Sequence, residues 1–446
     1  MKTAAVDVIK KLAEAGHQAL LAGGCVRDHL LGKAAKDYDV ATSARPEEVV
    51  RIFRGAKTVG AHFGVVIVRQ ADETIEVATF RRDGVYSDGR RPDSVAFTTA
   101  EEDAQRRDFT VNGLFYDPLK DEVIDFVGGR DDLRRKVIRA IGDPRRRFAE
   151  DHLRLLRAVR FATVLDFEIE PTTWSAMREL APCIASVSAE RVRDEFIKTL
   201  EHPRRVAGFD LLVGSGLMGV ILPEIMALQG CEQPPQFHPE GDVFVHTRLM
   251  LGLLPADASL PLILAVLFHD IAKPPTFTVD ETGRIRFNGH DKLGAEMTGD
   301  ILRRLKFPNH VVAPVVEAVA NHMAFINVPK MRTARLKRFM ARPGFEDEME
   351  LHRADCLGSA GDLSTYEFVR RKQHEFASEP LIPPRLLTGA DLIQLGWKAG
   401  PALGSVLTAI QNLQLEGALH TREDALRWIE VNAPVPDQFA EETGAV

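Results

Sequence analysis

The sequence predicts an α+β chain, with a mixed α/β segment over about the first 140 residues and an almost wholly helical region after it. Three observations carry this expectation. Strand signals are confined to the first third, where Asp37–Ala41, Val65–Arg69 and Thr74–Phe80 alternate or carry β-branched residues. From about Asp143 onward apolar residues recur at helical spacing, as at Leu153, Leu156, Val159 and Phe161. Breakpoints at Gly142-Asp143-Pro144, Gln233-Pro234-Pro235 and Pro383-Pro384 divide 446 residues, enough for two to four domains.

In chain order, Asp7–Ala15 reads as a helix and Ala19–Leu21 as a short strand running into Gly23-Gly24. Arg82–Pro92, rich in Gly, Asp and Arg, reads as a loop, and Leu293–Leu305 as an amphipathic helix. Residues 434–446 are acidic and Pro-containing, the composition of a frayed end.

Hydrophobic and charged contents of 45% and 27% are those of a globular protein. The four cysteines are dispersed and form no C-x-x-C pair, which points to reduced thiols in a cytoplasmic protein. Met1–Gly16 makes a poor signal peptide, and the apolar run Leu260–Phe268 is too short to span a bilayer, so no membrane partner is expected. Net charge is −7, yet Arg130–Arg160 holds eleven basic residues against five acids, a surplus of six. Such a patch attracts a polyanion; a salt-bridged helix surface accounts for it equally well.

Two carboxylates two apart on a strand, Asp37 and Asp39, point to one side. Such a pair repels unless a cation lies between, and magnesium, a hard ion that takes carboxylate and phosphate oxygens, suits it. Glu76, on a later strand, is the candidate third carboxylate. Upstream, Gly24 opens a helix where backbone can approach a phosphate, and Arg27 can add a charged fork. Asp151, Arg154, Arg157 and Arg160 recur every three residues on a predicted helix. An Asp accepts from an exocyclic amino group while an Arg donates to ring nitrogen and carbonyl, a pattern that fits C and A and rejects U and G. In the later half, His246, His269-Asp270, His290, His322 and Asp355 form a donor series suited to a divalent transition metal. His238 and His310 fit no slot in that series and read as structural.

Four motifs occur in order: Gly23-Gly24-Cys25-Val26-Arg27-Asp28, Asp37-Tyr38-Asp39, Arg106-Arg107-Asp108-Phe109-Thr110-Val111-Asn112-Gly113 and Glu150-Asp151-His152-Leu153-Arg154-Leu155-Leu156-Arg157. Together they resemble the class II CCA-adding enzyme and bacterial poly(A) polymerase family, with Gly113 where that family usually has Ala. Ala189-Glu190-Arg191-Val192-Arg193-Asp194-Glu195 extends the match.

The resemblance implies a polymerase-β-like nucleotidyltransferase palm over residues 1–142 and a base-recognising helical neck over 143–230. An HD phosphohydrolase-like domain over 231–375, a tRNA-binding tail over 376–433 and a flexible end over 434–446 complete it. Its implied partners are tRNA, CTP and ATP, with two magnesium ions at Asp37 and Asp39. Arg107, Asp108 and Asn112 are implied to contact nucleotide sugar and phosphates, Asp151 and Arg154 to read the base, and Arg157 and Arg160 to assist. The loop Asp83–Pro92 resembles the segment such enzymes use to add the terminal A. The histidine–aspartate series resembles HD phosphohydrolases that remove phosphates, including 2′,3′-cyclic ones, from RNA ends. Rival readings are an A-adding enzyme or poly(A) polymerase, or a metal phosphohydrolase whose N-terminal domain only binds nucleotide.

Overall fold

A computed structural model describes residues 2–58, 64–84 and 94–433. The chain forms two compact units, the first comprising 1–231, 242–263 and 299–312 and the second 232–241, 264–298 and 313–446.

The first unit opens with nine described strands: β1 (Ala19–Ala22), β2 (Asp39–Thr42), β3 (Lys57–Thr58), β4 (Val65–Gln70), β5 (Glu73–Thr79), β6 (Arg81–Asp83), β7 (Val95–Phe97), β8 (Phe115–Asp117) and β9 (Glu122–Ile124); a short parallel pair, Val137–Ile138 with Glu168–Ile169, follows. Seven form one sheet in the order β3-β4-β5-β2-β1-β8-β9, and β6 pairs with β7 apart from it. β2 and β5 run parallel, while β1 runs antiparallel to both β2 and β8. Ala71 and Asp72, both at positive φ, make the two-residue turn that folds β4 against β5. Helix Lys2–Glu14 seals the sheet with Ala5, Val8, Ile9 and Leu12, a fully buried stripe at helical spacing. The loop expected over Asp83–Pro92 falls for residues 85–93 outside the described residues, as does the acidic end 434–446.

One expected helix is two. Asp143 caps Pro144–Glu150, Asp151 is extended at φ −148°, and a new helix runs Leu153–Leu165. The Asp151 carboxylate accepts from the Leu153 amide at 3.1 Å, so the residue read as one step of a continuous helix stands at a break. The strand expected from Asp37 starts at Asp39, leaving Asp37 in the approach to it. Further on, the fully buried Arg205 donates to the carbonyls of Leu200, Pro255 and Ala256, tying separated segments together with no carboxylate partner among the described residues.

Among its described residues the second unit is helical apart from a small hairpin, Thr278–Val279 with Ile285–Arg286. Its helices include Asn309–Asn321, prolonged as a tight helix over His322–Lys330, and Phe345–Gly358. Phe325, Val328, Leu336 and Met349 form one core; Leu392, Trp397, Ile410 and Ile429 form another under the last three helices. Asn309–Lys330 has the length and hydropathy of a membrane span, but Phe325 and Val328 on it are core residues and His322 is buried.

Candidate active sites

The sheet register assembles the first site. β1 places Ala22 beside Asp39, and the parallel pairing of Val40 with Val77 brings Glu76 alongside Asp39 from the neighbouring strand. Immediately after Ala22 the chain turns at Gly23, φ +74°, into helix Gly24–Leu30. A Cβ at Gly23 would lie 3.0 Å from Arg107 Nη1, so the glycine serves both the turn and the close approach of that guanidinium. Ala22, Gly24, Arg27, Asp39, Glu76, Arg107, Asp108, Asn112, Asp151, Arg154 and Arg157 line one cavity of about 550 Å³. Asp37 is exposed and outside that wall, and Arg160 flanks it.

The carboxylates carry unresolved charge. Asp39 reaches solvent but is walled by protein; this loss of hydration raises its pKa, Arg107 opposes the rise, and Asp37 adds to it. Glu76 is raised likewise, by desolvation and then by Asp39. Clustered carboxylates that raise one another are the donor set a divalent cation satisfies.

The basic side of the cavity is tightly wired. Arg27 donates to Asn112 Oδ1 at 2.7 Å and to Asp28 at 2.8 Å. Arg107 is held by Asp103, which is buried and also pairs with Arg106; burial alone would raise Asp103, but Arg107 and Arg106 keep it low. Asp108 is buried with both oxygens engaged. Oδ1 accepts from the Phe109 amide and Asn112 Nδ2, and Oδ2 from Arg157 Nε at 2.8 Å. Burial would raise Asp108, yet Arg157, Asn112 and Arg154 bring it down to about 2. Its geometry orients Asn112 and Arg157, whereas the family motif implied contact with nucleotide sugar. Asp151 accepts from Arg191 at 2.7 Å, and Arg154 donates to Glu150 and to the carbonyls of Arg147 and Arg106. Both keep hydrogen-bonding capacity, since each carboxylate oxygen has two lone pairs and a guanidinium five donors.

Three features were missed from sequence. Arg191 lies in the cavity wall; it sat inside a quoted motif without a role. Phe161, read only as an apolar helix position, has the guanidiniums of Arg27, Arg157 and Arg160 at 5.4, 5.2 and 4.4 Å from its ring. Glu195, buried, pairs with Arg160 at 2.9 Å. The basic surplus of Arg130–Arg160 is also largely spent: Arg139, Arg145, Arg157 and Arg160 pair with Glu170, Glu179, Asp108 and Glu195, and Glu150 holds Arg146, Arg147 and Arg154.

The second site lies in the second unit. His269, His290 and His322 use one device: each Nδ1 lies 2.6–2.9 Å from the carbonyl three residues back, at Val266, Phe287 and Val319. A carbonyl only accepts, so Nδ1 carries the hydrogen and Nε2 keeps its lone pair. The Nε2 atoms of His290 and His322 then face each other at 3.1 Å, with Asp270 Oδ1 3.5 and 3.9 Å away. Facing lone pairs beside a carboxylate fit a cation between them, and all three side chains are buried. Burial, then His269, lowers His322 to about 4, keeping it neutral. Asp270 Oδ2 also lies 3.0 Å from His269 Nε2, a spacing that a cation between them would complete, and accepts from Lys273 Nζ at 2.7 Å; burial opposes its ionisation, but the positive charge around it holds it well below the usual range. Asp355 lines the same cavity of about 530 Å³. His246, buried on helix Val243–Leu253, belongs to the first unit. His238, read as structural, lines this second cavity with Nδ1 2.9 Å from Glu240, and His310 is exposed.

Three family models match in order: the poly A polymerase head domain over residues 19–139, the probable RNA and SrmB-binding site of polymerase A over 166–228, and the HD domain over 243–358. Among curated proteins, the CCA-adding enzyme of Enterococcus faecalis is 45% identical over 205 residues, 46% of this chain and 50% of that one. That of Geobacillus stearothermophilus is 44% identical over 214 residues, 48% of this chain and 53% of that one. The chain thus spans about half the length of the curated relatives it matches. Among solved structures, the Bacillus stearothermophilus CCA-adding enzyme in complex with CTP superposes with a TM-score of 0.72 at 29% identity, covering 96% of each chain. The Thermotoga maritima CCA-adding enzyme complexed with tRNA shares the fold at 20% identity, with a TM-score of 0.62 over 95% of this chain and 93% of that one.

Proposed function

We propose that the chain is a CCA-adding enzyme of the family with an HD domain, adding C and A to the 3′ end of tRNA from CTP and ATP without a template; the matched head and HD family models and the CCA-adding relatives support this reading. The observation that carries this reading is Asp39 and Glu76 side by side on β2 and β5, in one cavity with Arg27, Arg107, Asp151 and Arg154. Asp37, Asp39 and Glu76 would hold two magnesium ions, which supply charge neutralisation at the transferring phosphate and activation of the attacking hydroxyl. Gly24, Arg27 and Arg107 hold the triphosphate, and Asn112 is set by Asp108 and Arg27 to meet the sugar. Asp151 accepts from the amino group that C and A share, and Arg154 donates to the neighbouring ring acceptor. Arg157 is the half-buried strut between Asp108 and Glu195 that keeps this wall in place, and Arg160 braces it through Glu195. The 3′-OH attacks the α-phosphate, its proton leaves with the solvent-linked carboxylate cluster, and pyrophosphate departs toward the guanidiniums.

The second cavity is read as a phosphohydrolase site for RNA 3′ ends. His269, Asp270, His290 and His322, with His246 and Asp355, would hold a divalent transition metal that activates water. We divide the chain at 142, 230, 375 and 433 into head, neck, HD domain, tRNA-binding tail and terminal segment. Its dispersed cysteines, none of them in a disulfide, support a cytoplasmic setting.

The test uses tRNA transcripts ending before the first C, after one C and after both, each with a single labelled nucleotide. CTP enters the first two and ATP only the third. ATP addition alone, onto the CC end, would redefine the chain as an A-adding enzyme; long A tracts would make it a poly(A) polymerase. Asp37→Ala abolishes transfer and leaves RNA binding within about threefold, and retained transfer sinks the assignment.

A further inference from the structure

We propose that Phe161 is a positioning residue for nucleotide addition: its ring holds the Arg27 guanidinium in the pose that meets a triphosphate, without occupying the groups that bind it. The inference rests on the transferase reading of the head cavity.

Arg27 stands on helix Gly24–Leu30 and lines the cavity. Its Nε and Nη2 both reach Asp28 Oδ1 at 2.8 Å, and Nη1 donates to Asn112 Oδ1 at 2.7 Å. A guanidinium carries five N–H groups, so both terminal nitrogens keep one for a ligand. Asp28 is the next residue in the chain and moves with Arg27, so it does little to aim the side chain. Asn112 gives one anchor from a distant part of the chain. Phe161 gives the other, with Arg27 5.4 Å from its ring centroid.

With Phe161 the contacts close into a circuit. Arg27 donates to Asn112, Asn112 Nδ2 donates to Asp108 at 3.1 Å, and Arg157 Nε donates to the same carboxylate at 2.8 Å. Arg157 in turn lies 5.2 Å from the Phe161 centroid. The ring is itself fixed from behind by the fully buried Phe109, nearly perpendicular to it at 5.8 Å. Helix Leu153–Leu165 thereby reaches Arg27 through one side chain.

The choice of an aromatic has a chemical reason. An aromatic face attracts a cation while leaving its N–H groups available. A carboxylate in the same place would neutralise Arg27 and take the donors that a triphosphate needs. Arg160, 4.4 Å from the same ring, shows the other solution, since Glu195 holds it at 2.9 Å. Arg160 is braced; Arg27 is held and kept open.

The test compares the full chain with Phe161→Leu, Phe161→Trp, Arg27→Met and the double variant Arg27→Met with Phe161→Leu. KM and kcat are measured for CTP and ATP on tRNA transcripts of the matching length, and CTP binding with Mg²⁺ is measured by calorimetry without RNA. Phe161→Leu raises both nucleotide KM values about fivefold and weakens CTP binding to match, with kcat and the KM for tRNA within about twofold. Phe161→Trp restores the parent values. In the Arg27→Met background, Phe161→Leu adds less than about twofold, because the cation it holds is gone. Should Phe161→Leu melt too low to assay, Phe161→Met, apolar and adaptable, carries the same expectation. Losses that simply add in the double variant make the ring a packing element and overturn the proposal. So does a loss confined to one of the two nucleotides, which would place Phe161 in base selection, and so does an Arg27→Met chain that binds CTP like the parent. If no transcript accepts a nucleotide, the transferase reading fails, and the CTP isotherms of the four variants still decide the role of the ring.

Discussion

The two cavities hold carboxylates in opposite ways. In the first unit, Asp39 opens β2 and Glu76 lies midway along β5, both facing water; Asp39 raises Glu76, and Arg107 only partly offsets the rise of Asp39. In the second, Asp270 is deeply buried and fully wired, with His269, His290 and Lys273 around it. The first arrangement suits ions that arrive with a phosphate substrate and leave with the product, since exposed oxygen donors exchange readily. The second suits a resident ion, because the preset Nε2 lone pairs of His290 and His322, facing each other beside a carboxylate, cannot be left so cheaply. One site is completed by its substrate and the other by its metal.

The largest expected effect tests that contrast by exchange. Asp39→Ala lowers nucleotide addition at least about a thousandfold and leaves phosphate release from a nucleoside phosphate within twofold. His290→Asn does the reverse, lowering phosphate release about a hundredfold or more and the bound-metal content measured by elemental analysis. Melting temperature should move little for Asp39→Ala, whose side chain reaches solvent, and by several degrees for the buried His290. Loss of both activities in either variant would show that the cavities are not independent.

A smaller effect separates support from contact within the head. Asp108 is held at about 2 against an ordinary 3.8, despite burial, by Arg157, Asn112 and Arg154. A depressed carboxyl stabilises the fold above its unfolded value, and that contribution is lost as pH falls through the folded value. The stabilisation is about 2 kcal/mol. Urea unfolding should therefore show Asp108→Asn less stable than the parent by about that amount near pH 6, with the gap narrowing below pH 4. Nucleotide addition should fall through kcat, because Asn112 and Arg157 lose their anchor. A gap that stays constant down to pH 3 would falsify the charge-based account.

Much of this was legible in the sequence, for identifiable reasons. Register made the first site readable: Glu76 was picked from a strand pattern, and pairing of β2 with β5 does bring it beside Asp39. The break at Asp151 was not, because spacing by three continues unbroken through a helix interruption that only the extended backbone at Asp151 reveals. Phe161 hid for a similar reason, since an aromatic on an apolar helix face looks the same whether it meets core or three guanidiniums. In the second unit each histidine was visible singly. What sequence could not display is the shared i−3 carbonyl contact that aims the rings of His269, His290 and His322. The basic run Arg130–Arg160 was undecidable as written, because four of its partners, Asp108, Glu170, Glu179 and Glu195, lie outside it.

That last point yields the smallest effect and sharpens the distinction between charge that is spent and charge that is open. Arg130, Arg135 and Lys136 are exposed and carry no ion pair among the described residues, whereas Arg145, also exposed, pairs with Glu179 at 2.8 Å. An exposed pair contributes little to stability, so each substitution here should change folding by less than about 0.5 kcal/mol. Their difference should appear in RNA binding. Each phosphate contact removed lowers the slope of log affinity against log salt by about 0.7 to 0.9. Arg130→Ala with Arg135→Ala should therefore flatten the slope by one to two such steps, measured with tRNA between low and moderate salt, and leave addition at saturating tRNA unchanged. Arg145→Ala should leave the slope alone, since its guanidinium already has a carboxylate for a neighbour. If Arg145→Ala flattens the slope as much as the double variant, RNA outcompetes Glu179 for that guanidinium, and the ion pairs along this stretch are a reserve that binding opens.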